Sequence, residues 1–194
     1  MLYTNYILKN DLINRFNSVN LTEVTNSSDA IITQTSDQAV ELVASYVRHW
    51  YDADTEFRAL TLHVAASTYE DTDRVYTLTA GVYVLYLAIQ DVPADTLITD
   101  TDYWTASDDR NPVLVQVCTD IILYDLLGRN NSGNVPEYRF DRNKDARDTL
   151  KMIQSGKIQL DIPLRTFEDD EEEQADLGQE ALFGQRNIGN DNDY

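Results

Sequence analysis

The stretch Asp108–Arg129, DDRNPVLVQVCTDIILYDLLGR, restricts the possible folds more than any other part of the chain. After a charged opening and Pro112, only Gln116, Thr119, Asp120 and Asp125 interrupt its apolar residues before Gly128. Leu114, Val117, Ile121, Tyr124 and Leu127 form one stripe at helical spacing, and Val113, Cys118 and Ile122 form a second beside it. A helix apolar over more than half its circumference must be covered from more than one side. The run is shorter than the roughly 20 residues that span a bilayer, so it is a core helix or one that packs against copies of itself. Asp108 or Asp109 can cap it, Pro112 suits its first turn, and Gly128 or the following NNSGN cluster can end it.

Other helices are read from the same periodicity. LKNDLINRFN forms a short first helix, capped by Asn10 or Asp11, with Leu12, Ile13 and Phe16 on one face. NSSDAIITQTSD reads as a loop, and SDQAVELVASYVRHWYD as a second helix capped by Ser36 or Asp37. Between them and the apolar helix, RVYTLTAGVYVLYLAIQDVP is rich in Val, Thr, Tyr and Ile, with Gly81 placed as a turn residue. Residues 70–107 are expected to form two or three short antiparallel strands. NVPEYRFDRNKDARDTLKMIQSGK is the last helix. Asn134 and Glu137 have capping-box spacing, Tyr138, Ala146, Leu150 and Ile153 lie on its inner side, and Gly156 is its C-terminal stop. The expected fold is therefore mainly α. It is a bundle of about four helices (1–57 and 108–163) with an inserted antiparallel β module (58–107) and an extended acidic tail (164–194).

Charge is distributed unevenly. The net charge is −19. Residues 1–109 carry 17 acids and 5 bases, residues 110–165 carry 7 acids and 9 bases, and residues 166–194 carry 10 acids and 1 base. So negative a field argues against wrapping nucleic acid, whose binding rests on basic contacts, but suits a surface that DNA slides past. The N-terminal MLYTNYILKN lacks the basic and apolar regions of a secretory signal, and with the single Cys118 this leads us to expect a reducing cytoplasm.

Catalytic constellations are hard to assemble from these residues. His49 and His63 have no second metal ligand at i+3 or i+4, and Cys118 sits among apolar residues as a small buried hydrophobe would. The acids of Asp52–Glu56 and those near Asp100 are solvated loops or a calcium site, though they lack the glycine and closing glutamate of an EF-hand loop. No phosphate-binding glycine loop is present. We expect no enzyme, no cofactor and no metal. Tyr83, Tyr86, Tyr103 and Trp104 cluster in the β segment, either as cross-strand packing or as a surface for sugar or protein. The tail residues EDDEEEQAD cannot build a core alone, but Leu177, Leu182, Phe183, Ile188 and Tyr194 are apolar islands suited to a partner.

Four segments in order resemble a known family: LKNDLINRF, VASYVRHWYDADTEF at Val43–Phe57, DDRNPVLVQVCTDIILYDLLGR, and VPEYRFDRNKDARDTLKMIQSGKIQLDIP. Together they are similar to the Mu-like phage head–tail connector proteins, also called head-completion or adaptor proteins. Arg142, Ala146, Leu150, Lys151, Gly156 and Lys157 occupy the family's closing helix pattern. The likeness covers about 6–57 and 108–163; the β insert and the tail lie outside it. It implies a structural virion protein, made in the host cytoplasm and placed at the capsid–tail neck. Such proteins form a ring, commonly of twelve copies, beneath the portal. The ring extends the DNA channel and offers a docking surface to tail or stopper proteins.

On that reading Ile122, Arg139, Arg142, Asp145, Arg147 and Lys151 are candidates for the contact between subunits. The tail residues Leu177, Leu182, Phe183, Ile188 and Tyr194 would contact the portal or a neighbouring ring. DNA would pass without specific binding, and no membrane is involved. Two other readings stand beside it: a carbohydrate-binding or adhesion module built on Tyr83, Tyr86, Tyr103 and Trp104, and an acidic regulatory protein that mimics DNA.

Overall fold

Asn111 starts the central helix. In a computed structural model that describes residues 6–130 and 135–166, its side-chain oxygen accepts from the backbone N–H of Val113 at 3.0 Å and of Leu114 at 3.3 Å. Two of the helix's otherwise unpaired donors are thereby satisfied. The cap is thus Asn111 and not Asp108 or Asp109, both of which hold arginines instead. Pro112 takes the first helical position, where its missing N–H costs nothing. This helix runs Pro112–Asn130, past Gly128.

In chain order the described helices are α1 (Lys9–Phe16), α2 (Ser18–Thr25), α3 (Asp29–Val47), α4 (Ala53–Glu56), α5 (Pro112–Asn130) and α6 (Glu137–Gln154). The strands β1 (Thr61–Leu62), β2 (Arg74–Thr79), β3 (Val82–Ala88) and β4 (Trp104–Ala106) lie between α4 and α5. About half of the described residues are helical, but six helices replace the expected bundle of about four. Leu114, Cys118, Ile121, Ile122 and Leu123 are all fully buried on α5. Four helices of the same chain, α1, α2, α3 and α6, pack around it. The second covering partner that α5 requires is therefore internal.

Helix α3 begins at Asp29, well before the expected start at Ser36 or Asp37. The segment read as a loop is helical because Ile32, Thr35, Ala39 and Val43 bury one face at steps of three and four, with Val40 buried beside them. Thr35 donates its hydroxyl to the Ile31 carbonyl at 2.9 Å, satisfying within the helix a group that otherwise favours turns. Ser36 and Asp37 are interior helical residues and cap nothing. Helix α1 starts at Lys9, with the Asp11 carboxylate accepting from the Leu8 N–H at 2.8 Å. The Asp52–Glu56 acids form α4: Asp52 caps it, accepting from the Thr55 N–H at 3.0 Å and the Thr55 hydroxyl at 2.5 Å. Those hydrogen bonds hold the Asp52 carboxyl below its ordinary pKa.

Strand order in the sheet is β1-β2-β3-β4. β2, β3 and β4 are antiparallel neighbours, while β1 pairs parallel with β2, so the sheet is mixed. The β2–β3 hairpin closes through Ala80 and Gly81 at φ +51° and +82°. Two successive positive φ values make the turn whose twist matches the flanking strands. The sheet has its own small core of Val75, Ala88, Val92 and Trp104, apart from the helical core.

At the end of the described chain, the Pro163 carbonyl accepts from the Asp52 N–H at 2.9 Å, and Arg165 donates its N–H to the Trp50 carbonyl at 3.1 Å. These bonds set the last described residues against the corner after α3, which the Trp50 indole also ties to the Gln154 carbonyl at the end of α6, at 2.7 Å.

Candidate functional site

The DDRN residues before α5 form an ionic junction between helices and sheet, with Arg110 and Asn111 buried and Asp108 and Asp109 at the surface. Arg74, the first residue of β2, donates to both carboxylate oxygens of Asp109, its Nε at 2.8 and 3.0 Å and its Nη2 at 2.9 Å. It also donates to the Glu56 carbonyl. The Glu56 carboxylate is only 3% exposed; one oxygen accepts from the Tyr6 hydroxyl at 2.5 Å and the Asn111 N–H at 2.8 Å. Burial, and then the charge of Glu56, raise the Tyr6 pKa well above its ordinary value. Arg110 forks between Asp108 (2.8 and 2.7 Å) and Asp11 (2.8 and 3.2 Å), and donates to the Tyr6 carbonyl at 2.7 Å. Burial opposes its charge, but the bonds to Asp108 and Asp11 outweigh that and raise its pKa. Two arginines here meet four carboxylates, so each arginine is held by more than one acid and the junction keeps a net negative charge. Its role is to lock the segment before α1, the end of α4, β2 and the start of α5 together.

The expected subunit-contact residues divide into two groups. Ile122 is fully buried in the chain's own core, and Arg139 is 4% exposed. Arg139 lies over the rings of Phe16 and Tyr138 at 5.2 and 5.0 Å, donates to the Arg15 carbonyl at 2.8 Å, and stands 4.0 Å from the buried Asp120. Both belong to the interior of one chain, which corrects the expectation that they meet a neighbour. The inner face of α6 is Arg139, Asn143, Ala146, Leu150 and Ile153. Tyr138, expected on that face, is 52% exposed instead. Arg142, Asp145 and Lys151 are exposed, and Arg147 is half-buried. Lys151 pairs with Asp148 at 2.8 Å. Sequence periodicity missed two exposed apolar residues of α6, Phe140 (53%) and Met152 (39%). Centring the inner face on Ala146 and Leu150 would have placed both outside.

The aromatic residues of the insert do not form one platform. Trp104 is 3% exposed and packs in the sheet's core, with Tyr86 and Tyr103 against it. This removes Trp104 from any sugar-binding surface. His63 packs against both Tyr69 and Trp104, ring centres at 5.7 and 5.5 Å, and these two rings also touch each other at 5.2 Å; burial lowers the His63 pKa. Tyr83 faces elsewhere: with Tyr76 (5.5 Å between rings) it overhangs a cleft of about 360 Å³ against α3 and the start of α1. Lys9 and Asp29, paired at 2.8 Å, also line this cleft.

Cys118 is fully buried and burial raises its thiol pKa, so it is not a poised thiolate. Among the described residues, no group of three or more His, Cys, Asp or Glu could hold a metal ion, and no helix is long and apolar enough to cross a membrane. The expected cap Asn134 and the tail residues Leu177, Leu182, Phe183, Ile188 and Tyr194 lie outside the described residues. No protein-family model matches the chain, and no curated protein or solved structure matches it.

Proposed function

We propose that this protein is a structural assembly subunit, a head–tail connector that forms a ring beneath a phage portal and extends the DNA channel. The observation that carries the reading is the outer surface of α6. The chain completes its core with its own helices, yet leaves Tyr138, Phe140 and Met152 exposed on α6, among charges of both signs. Phe140 lies on one side of α6 and Tyr138 with Met152 on another, each beside charges that can set the orientation of a contact with another macromolecule. The resemblance of the helical segments to connector proteins supplies the kind of assembly. The negative charge is consistent with DNA passing a wall without lasting contact.

A carbohydrate-binding role loses its main anchor with the burial of Trp104. An acidic DNA mimic would act as a monomer on a basic partner. Negative-stain imaging of the purified protein mixed with the portal of its phage separates these readings. Rings stacked on the portal axis are the expected result. A monomer with no affinity for the portal would overturn the proposal.

A further inference from the structure

The charges of α6 look mixed along the sequence, but the helix sorts most of them; Glu137 lies between the two flanks and Arg142 between the acidic flank and the inner face. At about 100° per residue, Phe140, Lys144, Arg147 and Lys151 share one flank, and Tyr138, Asp141, Asp145, Asp148 and Met152 share another about 110° away. Each flank carries its charges at steps of three and four. Each also carries an exposed aromatic ring on the first turn of the helix, Phe140 at 53% or Tyr138 at 52%. The third side is the buried inner face. Asp148 and Lys151 bridge the flanks at one level, at 2.8 Å. Asp141, Arg142, Lys144 and Asp145 form no ion pair with the described residues.

We propose that these flanks are the two halves of a head-to-tail interface, the basic flank of one copy seated on the acidic flank of the next. The inference rests on the assembly-subunit reading and specifies its contact. A second copy is the fitting occupant because one helix carries both complementary patterns at the same spacing, each beside an aromatic anchor. The chain has only 15 Lys and Arg against 34 Asp and Glu, so most of its surface repels another copy. The basic flank of α6 is where an approaching acidic flank finds opposite charge. Exposed ion pairs add little affinity but fix orientation and register, while buried aromatic side chains supply most of the binding energy. An acid-on-base contact leaves the assembly with one unused acidic flank at one end and one unused basic flank at the other. Such contacts continue, closing into a ring if the rotation allows.

The test is charge reversal in the full chain. One variant carries Asp141→Lys and Asp145→Lys, and the other carries Lys144→Glu and Lys151→Glu. All four positions are exposed, and thermal melting by circular dichroism confirms that each variant folds. Wild type should sediment as species larger than a dimer. Each variant alone should require at least tenfold higher concentration to assemble, and an equimolar mixture should assemble again. If wild type assembles and the separate variants assemble equally well, the assembly reading survives and this interface is wrong. Failure of the mixture to assemble, or assembly that stops at two copies, also overturns the head-to-tail arrangement. Wild type that remains monomeric overturns both.

Discussion

Glu56 concentrates much of the cost of this architecture in one side chain. Its buried carboxylate takes hydrogen bonds from Tyr6 and Asn111 and stands 3.7 Å from Arg74, so its removal orphans groups on three parts of the chain. Breaking one side of a buried ionic contact costs about 3–5 kcal/mol, and Glu56→Ala should lower the unfolding free energy by that order in urea titration. Ile122→Asp should leave no folded protein, since it would place a carboxylate in a fully buried apolar site. An exposed contrast is Arg142→Ala, for which a change within about 0.5 kcal/mol is expected. His63 gives a pH dependence with a definite sign. Burial against Tyr69 and Trp104 lowers its folded pKa below the ordinary 6.5, so folding favours the neutral ring. Its contribution is complete above pH 6.5 and declines as pH falls below that value through the folded pKa. Melting temperature should therefore drop between neutral and mildly acidic pH, and His63→Phe, which keeps the ring packing, should reduce the drop. An equal drop in that variant would assign the effect to other groups.

At the scale of elements, α5 was the most legible feature. Its apolar excess demanded cover on several sides, and α1, α2, α3 and α6 provide it. The sequence could not say whether that cover came from the chain or from a neighbour, because periodicity fixes faces and not partners. The start of α3 was illegible for a different reason. Asn, Ser, Asp and Thr favour turns when isolated, and here tertiary burial of Ile32, Thr35 and Ser36 overrides that preference. β1 is two residues long and leaves no periodic signal, so the parallel edge was not foreseeable. The capping atoms of α5 were equally hidden, since Asp108, Asp109 and Asn111 are all good caps. Only the demand of Arg74 and Arg110 for carboxylates assigns the two aspartates elsewhere. Asn111→Ala should cost about 1 kcal/mol, readable as a lower urea midpoint with an unchanged slope.

Over the whole molecule, the candidate site was only partly legible. The sequence marked α6 as a contact helix through its charges, and the exposed Arg142, Asp145 and Lys151 remain available for that role. It placed Arg139 and Tyr138 on the wrong sides, because neighbouring residues on a helix point about 100° apart and a small error in face assignment exchanges them. It could not foresee the ionic junction, whose members, Tyr6, Asp11, Glu56, Arg74 and the DDRN residues, are scattered over more than a hundred positions and meet only in the fold. The resulting object is a helical body clamped to a small sheet, its core closed and its α6 surface open. The measurement that tests this account most directly is sedimentation velocity of the full-length protein over a wide concentration range. The account predicts a folded species that grows beyond a dimer toward a discrete closed oligomer. A folded protein that stays monomeric at every concentration would contradict it.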